Sequence, residues 1–278
     1  MIEIENLCFS YGKHKVLTNL NLSLSQGKIF GLLGKNGAGK SSLLYQICGL
    51  LFPKQGKLNV NGYKPFERNP IFLQEIYLLP EEFDLPNVAI KSFLKTNAPF
   101  YPNFSEELFN NYLAEFNIPI NNSLQGMSFG QKKKVMISFA LATQTKVLLM
   151  DEPTNGLDIP SKKQFRKIIA GALQPHQLMI ISTHQVKDLD SLIDHILVLE
   201  DEHIIFDQSV ESITQKLAFK QAMQLNEVEN LIYSEGALRG HAVVAKNIHN
   251  EHTRLDMEMF FNALASEKQQ MVSLFNDK

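Results

Sequence analysis

Apolar and polar residues alternate at the start of the chain, where Ile2, Ile4 and Leu7 have polar neighbours, and again where Leu20, Leu22 and Leu24 alternate with Asn and Ser. A period of two predicts strands with one buried face. The stretch 29–33 differs: it is a short apolar run, as expected of a strand covered on both faces. Runs at 147–150, 178–181 and 196–199 predict further buried strands, and 58–60, 76–79 and 204–206 give shorter strand signals. Helical patterns occupy about 41–50, 130–142 and 161–173. Strands alternating with helices predict an α/β fold with a mainly parallel sheet, preceded here by an N-terminal antiparallel β portion.

The pattern changes between 84 and 125, which is rich in Phe, Asn, Leu and Lys at helix-like spacing, with interruptions at Pro99 and Pro102. Ser105 followed by Glu106 and Glu107 is a helix start, because the hydroxyl can cap free N–H groups and the acids suit the positive end of the helix dipole. This segment reads as a helical subdomain inserted into the sheet-based core. Beyond about 219 the periodicity weakens; 231–233 and 242–245 suggest a hairpin, 257–264 a short helix, and the last residues are expected to fray. The expected organisation is therefore a domain over 1–218, with 84–125 inserted, and a C-terminal extension over 219–278 that stands apart from the chemistry.

Composition narrows the classes. In 278 residues, 44% are apolar, ample for a core, and 27 Lys and Arg against 29 Asp and Glu leave a net charge of −2. That balance gives no reason to expect a nucleic-acid groove or a polybasic membrane anchor. No apolar run approaches the roughly 20 residues that a membrane helix needs, and the N-terminus has no basic stretch of the kind that opens a signal peptide. Cys8 and Cys48 lack metal or redox spacing and read as buried, reduced thiols of a cytoplasmic protein. His249 and His252 have no partners at metal-ligand spacing, and Lys132, Lys133 and Lys134 read as a solvated helix face.

The sharpest signal is Gly34-Lys35-Asn36-Gly37-Ala38-Gly39-Lys40-Ser41, followed by Ser42, between a buried strand and a helix. It matches the Walker A pattern, whose curled backbone aims N–H groups at phosphate oxygens while the helix adds its N-terminal donors. Lys40 can then reach the β- and γ-phosphates of ATP, and the Ser41 hydroxyl can ligand Mg²⁺. The strand at 147–150 ends in Asp151 and Glu152. There Asp151 can hold the ion, and Glu152 can take up the proton of an attacking water.

Over roughly 1–218 the sequence resembles the ATP-binding subunits of ABC transporters, and its motifs follow that family's order. Tyr11 matches the aromatic that stacks on adenine, Met127-Ser128-Phe129-Gly130-Gln131 the signature, Asn155-Gly156-Leu157-Asp158 the D-loop, and His184 the switch histidine. Two departures stand out. Phe129 replaces the first signature glycine and Met127 its leucine, while Ser128, Gly130 and Gln131 remain as groups that can donate to a γ-phosphate. Glu81 lies where the family usually ends a strand in Gln; it can accept from a metal-bound water but cannot donate. Gln74 is the alternative for that role.

The resemblance implies a dimer of two cassettes packed head to tail, with Ser128, Gly130 and Gln131 of one closing the site of the other. It also implies a separate transmembrane permease driven by ATP-dependent closure and release, no nucleic-acid partner, and a place on the cytoplasmic face of the cell membrane. The arrangement looks more like an exporter subunit than an importer one. The alternative is a soluble ATPase of the same family acting in translation or DNA repair; tandem cassettes or long coiled coils would favour it, and neither pattern is present. A regulatory module without turnover is disfavoured by the presence of both Glu152 and His184.

Overall fold

A computed structural model describes residues 1–276. The chain opens with β1 (Ile2–Tyr11), β2 (His14–Leu24) and β3 (Lys28–Leu33), followed by α1 (Lys40–Ile47) and β4 (Gln55–Val60). Then come α2 (Pro70–Gln74), β5 (Ile76–Leu79), α3 (Ile90–Asn97), α4 (Glu106–Glu115) and α5 (Phe129–Ala142). The central part continues with β6 (Val147–Asp151), α6 (Ile159–Ala172), β7 (Leu178–Thr183), β8 (His195–Glu200), β9 (His203–Ser209) and α7 (Val210–Lys216). Last are β10 (Leu217–Ala222), β11 (Leu231–Gly236), β12 (His241–Lys246), α8 (Met257–Ser266) and α9 (Lys268–Asn276).

The central sheet runs β5-β6-β7-β3-β8-β9 and is parallel except for β9. Alternation along its strands divides the core. Ile29, Leu148, Met150, Met179 and Ile181 face the helical insertion and the C-terminal helices, while Phe30, Leu32, Val147, Leu149, Leu178 and Ile180 face the antiparallel sheet β2-β1-β4. Both faces are covered, which is why these strands read as unbroken apolar runs. The α/β class and the N-terminal antiparallel portion follow the sequence expectation.

Parallel order has a consequence for chemistry. β5, β6, β7 and β3 are neighbours and all end on the same edge, with Asp151 opposite Ser182 and Leu33 opposite Thr183. Residues just past these ends come from four distant stretches, and ligands of open α/β sheets bind at this edge.

Several local expectations are corrected. Lys133 is fully buried, not part of a solvated face, because its position on α5 turns it inward toward the loop after β5. Cys48 is buried but Cys8 is only half-buried, since it sits among the bulges of β1. Lys268–Asn276 form α9 and bury Met271 and Phe275, and the end of the stretch expected to fray, 277–278, lies outside the described residues. β10 is a further strand, and β12 lies between it and β11, so the expected hairpin is part of a three-stranded sheet.

The C-terminal helices are anchored through Phe206 on β9, whose ring meets Phe260 at 5.1 Å and Phe275 at 5.0 Å. Phe260 is fully buried. Phe260→Ala is therefore expected to cost about 3–5 kcal/mol, read as a lower midpoint in chemical denaturation. A chain cut near Lys220 should show a larger loss, because β10 also loses its partner strand. An unchanged midpoint in Phe260→Ala would mean that these helices add no stability.

Candidate nucleotide site

The loop after β3 begins the site. Gly39 is the N-cap of α1 at φ 105°, a left-handed conformation that a side chain resists, and an added Cβ would stand 2.8 Å from Val16 Cγ1. This tight turn brings Lys40 over the loop. Its Nζ donates to Gly34 O at 2.8 Å and to Lys35 O at 3.1 Å, and lies 3.7 Å from Glu152 Oε1. Burial pushes the Lys40 ammonium below its usual range, while Glu152 and Asp151 pull the other way. A buried cation facing two carboxylates is thus poised for a more strongly anionic partner.

Glu152 is held tightly. Its backbone is left-handed, at φ 44°, and its N–H donates to Ser182 O at 3.0 Å. Thr183 Oγ1 donates to Oε2 at 2.9 Å, and the His184 N–H donates to Oε1 at 2.9 Å. His184 Nδ1 lies 2.8 Å from the same oxygen; facing an ionised carboxylate, that nitrogen carries the proton. These donors fix the direction of the carboxylate. Its neighbour Asp151 accepts from the Ser182 hydroxyl.

Glu81, just past β5, directs Oε1 to Asn155 Nδ2 at 2.7 Å. Asn155 Oδ1 accepts from Gln185 Nε2 at 2.9 Å, so the segments after β5, β6 and β7 are linked by side chains. Tyr11 stands at the end of β1, half exposed, with its hydroxyl 3.3 Å from Ser42 Oγ.

A cavity of about 310 Å³ gathers Tyr11, Asn36, Gly37, Gly39, Lys40, Ser41, Ser42, Glu81 and Glu152, together with His14 and Val16. Asp151 and His184 are tied to its wall through Ser182 and Glu152. Gln74 ends α2, before β5, and Glu81 rather than Gln74 lines the cavity. A second cavity, of about 340 Å³, lies on the other flank of the loop, between Gly34, Lys35 and Ala38 and the α8 residues Phe261, Leu264 and Ala265.

Ser128, Gly130 and Gln131 lie outside the first cavity. They form the N-terminus of α5, with Ser128 and Gln131 in a reciprocal capping box at 2.9 and 3.2 Å. That box occupies the Gln131 N–H, while the N–H groups of Phe129 and Gly130 have no intrahelical acceptor at this position. Gly130 packs so closely that a Cβ would stand 2.7 Å from Gly156 O. Phe129 stacks on Phe83 at 5.5 Å and lies against Gly156.

Sequence reasoning missed Ser182, Thr183, Gln185 and Lys133 as partners of the site residues. Two hydroxyls closing an apolar strand just before His184 were a usable signal for the first two. Nothing local marked Lys133 among three consecutive lysines.

Comparison with known proteins gives the family and supports the fold. The family model described as ABC transporter matches residues 17–155. A putative ABC transporter ATP-binding protein of Bacillus cereus is 32% identical over 240 residues, covering 82% of this chain and 42% of that one; the chain thus spans less than half of that relative. A bacitracin transport ATP-binding protein of Bacillus licheniformis is 28% identical, covering 81% of this chain and 76% of its own length. A solved ATP-binding subunit of an ABC transporter superposes with a TM-score of 0.66 at 24% identity, covering 77% of this chain and 91% of that one, which supports the fold. With the phosphate-type loop at the end of β3 and the family model spanning half of its residues, this chain belongs to the ABC transporter family, as one of its ATP-binding subunits.

Proposed function

We propose that this chain hydrolyses ATP and drives a membrane transporter by ATP-dependent closure of a cassette dimer. The observation that carries this reading is Glu152, fixed by Thr183 and His184 and facing Lys40 beside the phosphate-type loop. A carboxylate held in one direction can orient a water and accept its proton, which a passive nucleotide sensor does not require. Lys40 and the loop N–H groups from Gly34 through Ser42 bind the phosphates, Tyr11 stacks on the base, and His184 steadies Glu152 at the γ-phosphate.

The residues also suit Mg²⁺. Ser41, Asp151 and Glu81 offer hard oxygen donors, and Mg²⁺ is commonly held by one or two carboxylates plus the substrate's phosphates. The Ser182 hydroxyl bonded to Asp151 would keep that carboxylate oriented. When bound, the ion would neutralise phosphate charge.

Closure follows from the exposed N-terminus of α5. Ser128, Gly130 and Gln131, remote from their own chain's cavity, would cover the γ-phosphate of a second cassette, identical or distinct. ATP then stabilises the closed dimer because it binds that state better, and hydrolysis removes the advantage. Among the described residues no helix is long and apolar enough to cross a membrane, so the translocation path would belong to a transmembrane permease, with this chain on its cytoplasmic face. We assign 1–218 to the ATP-binding domain, 84–125 to its helical subdomain and 219–278 to an extension.

Phosphate release, measured with sedimentation in ATP, ADP or no nucleotide, tests the ATPase and dimer parts. Recovery of a multi-span membrane protein with the chain from solubilised membranes tests the transport part. Bound ATP that is never hydrolysed, even with Mg²⁺ and the membrane partner present, would overturn the enzymatic reading.

A further inference from the structure

Lys133 has an unusual environment. Its side chain is fully buried, and its Nζ donates to Glu81 O at 2.7 Å and Pro80 O at 3.4 Å. The rings of Phe83 and Phe129 both lie 5.5 Å from the ammonium, and they stack on each other with 26° between their planes. Burial pushes the Lys133 ammonium down to about 8. Such a group is costly to desolvate, and an apolar side chain of similar length would fill the same space.

What the lysine contributes is geometry. Glu81 is gripped at two points: its carboxylate by Asn155 and its backbone by Lys133. The first tie runs to the segment after β6 and the second to α5. Phe129, which replaces a family glycine, supplies one of the two aromatic faces beside the ammonium. That arrangement gives the substitution a purpose within its own chain.

We propose that Lys133 is a positioning residue for Glu81, locking the loop after β5 to the signature helix with Phe83 and Phe129 as its aromatic sheath. This rests on the reading of the chain as an ATPase. ATP affinity derives mainly from Lys40 and the loop N–H groups, so loosening the lock should act on turnover rather than on binding. The lock also makes the signature helix and Glu81 move as one body, and displacement of α5 shifts the carboxylate.

The test uses Lys133→Met, which keeps side-chain length and loses the donor. We expect kcat to fall about tenfold while the KM for ATP stays within about twofold. Adding Lys133→Met to Glu81→Ala should slow the enzyme no further, because a residue acting through Glu81 has nothing left to position. Amide hydrogen exchange over 80–85 should be faster in Lys133→Met than in the parent. Multiplicative kinetic effects, or unchanged exchange in that segment, would overturn the proposal. If Lys133→Met does not fold, Phe83→Leu replaces it, with a smaller fall in kcat and the same non-additivity with Glu81→Ala. A parent chain without turnover would overturn the ATPase reading instead, and the exchange comparison would then decide the lock by itself.

Discussion

Replacing Glu152 with glutamine is expected to leave ATP bound and to slow its hydrolysis by about 100-fold or more. The environment of the side chain explains why the fold should tolerate the change. Oε1 accepts from His184, so an amide oxygen placed there keeps those bonds. Oε2 faces the Thr183 hydroxyl, which can turn and accept from the new NH₂ group. What the amide cannot do is accept the proton of an attacking water. Lys40, Ser41 and Asp151, which would hold the nucleotide and its ion, are untouched.

The measurement is phosphate release beside ATP titration and sedimentation. Retained binding, lost turnover and an ATP-dependent dimer would together support the base assignment and closure in a homodimer. Parent-rate hydrolysis would show that another group takes the proton. Lost turnover without a dimer would keep the assignment and point to a distinct partner cassette.

Lys40→Ala is expected to weaken ATP binding by roughly 10- to 150-fold, the scale of one charge-assisted hydrogen-bond set at about 1.5–3 kcal/mol. The fold should survive, since Lys40 is a desolvated cation whose present acceptors are two loop carbonyls, with Glu152 an ion-pair neighbour at 3.7 Å. Removing it ends a burial cost while leaving the loop N–H groups in place. Titration with ATP beside circular dichroism checks both halves. Unchanged affinity would mean that this loop is not the phosphate site; lost ellipticity would mean that Lys40 is mainly structural.

The two variants separate the steps, one leaving binding without chemistry and the other reducing binding itself. Lys133→Met forms a third class, in which both groups remain and their relative placement changes. Phe129 links to this class because its ring lies against the lysine, Phe83 and Gly156. Mutation of Phe129 therefore disturbs contacts inside its own chain as well as any contact across a dimer.

The sequence by itself determined the parts that depend on short-range order. The loop 34–41 needs its glycines and lysine at fixed spacing after a strand and before a helix. The apolar runs ending at Asp151 and before His184 declare buried parallel strands. The helical pattern over about 130–142 likewise marks α5 (Phe129–Ala142). Each of these is a local conformational demand, met within a few residues.

Only the tertiary structure decided which distant groups meet. Lys132, Lys133 and Lys134 are identical in composition, yet a helix turns each residue by about 100°, and only Lys133 is buried under the Glu81 loop. The bond from Asn155 to Glu81 spans 74 positions and depends on β5 and β6 being neighbours. The C-terminal packing was not legible because Phe206, Phe260 and Phe275 lie far apart in sequence and form a cluster only after the chain returns to β9. Local patterns record the backbone's own preferences, whereas these pairings depend on strand order and helix rotation, which a linear pattern does not carry.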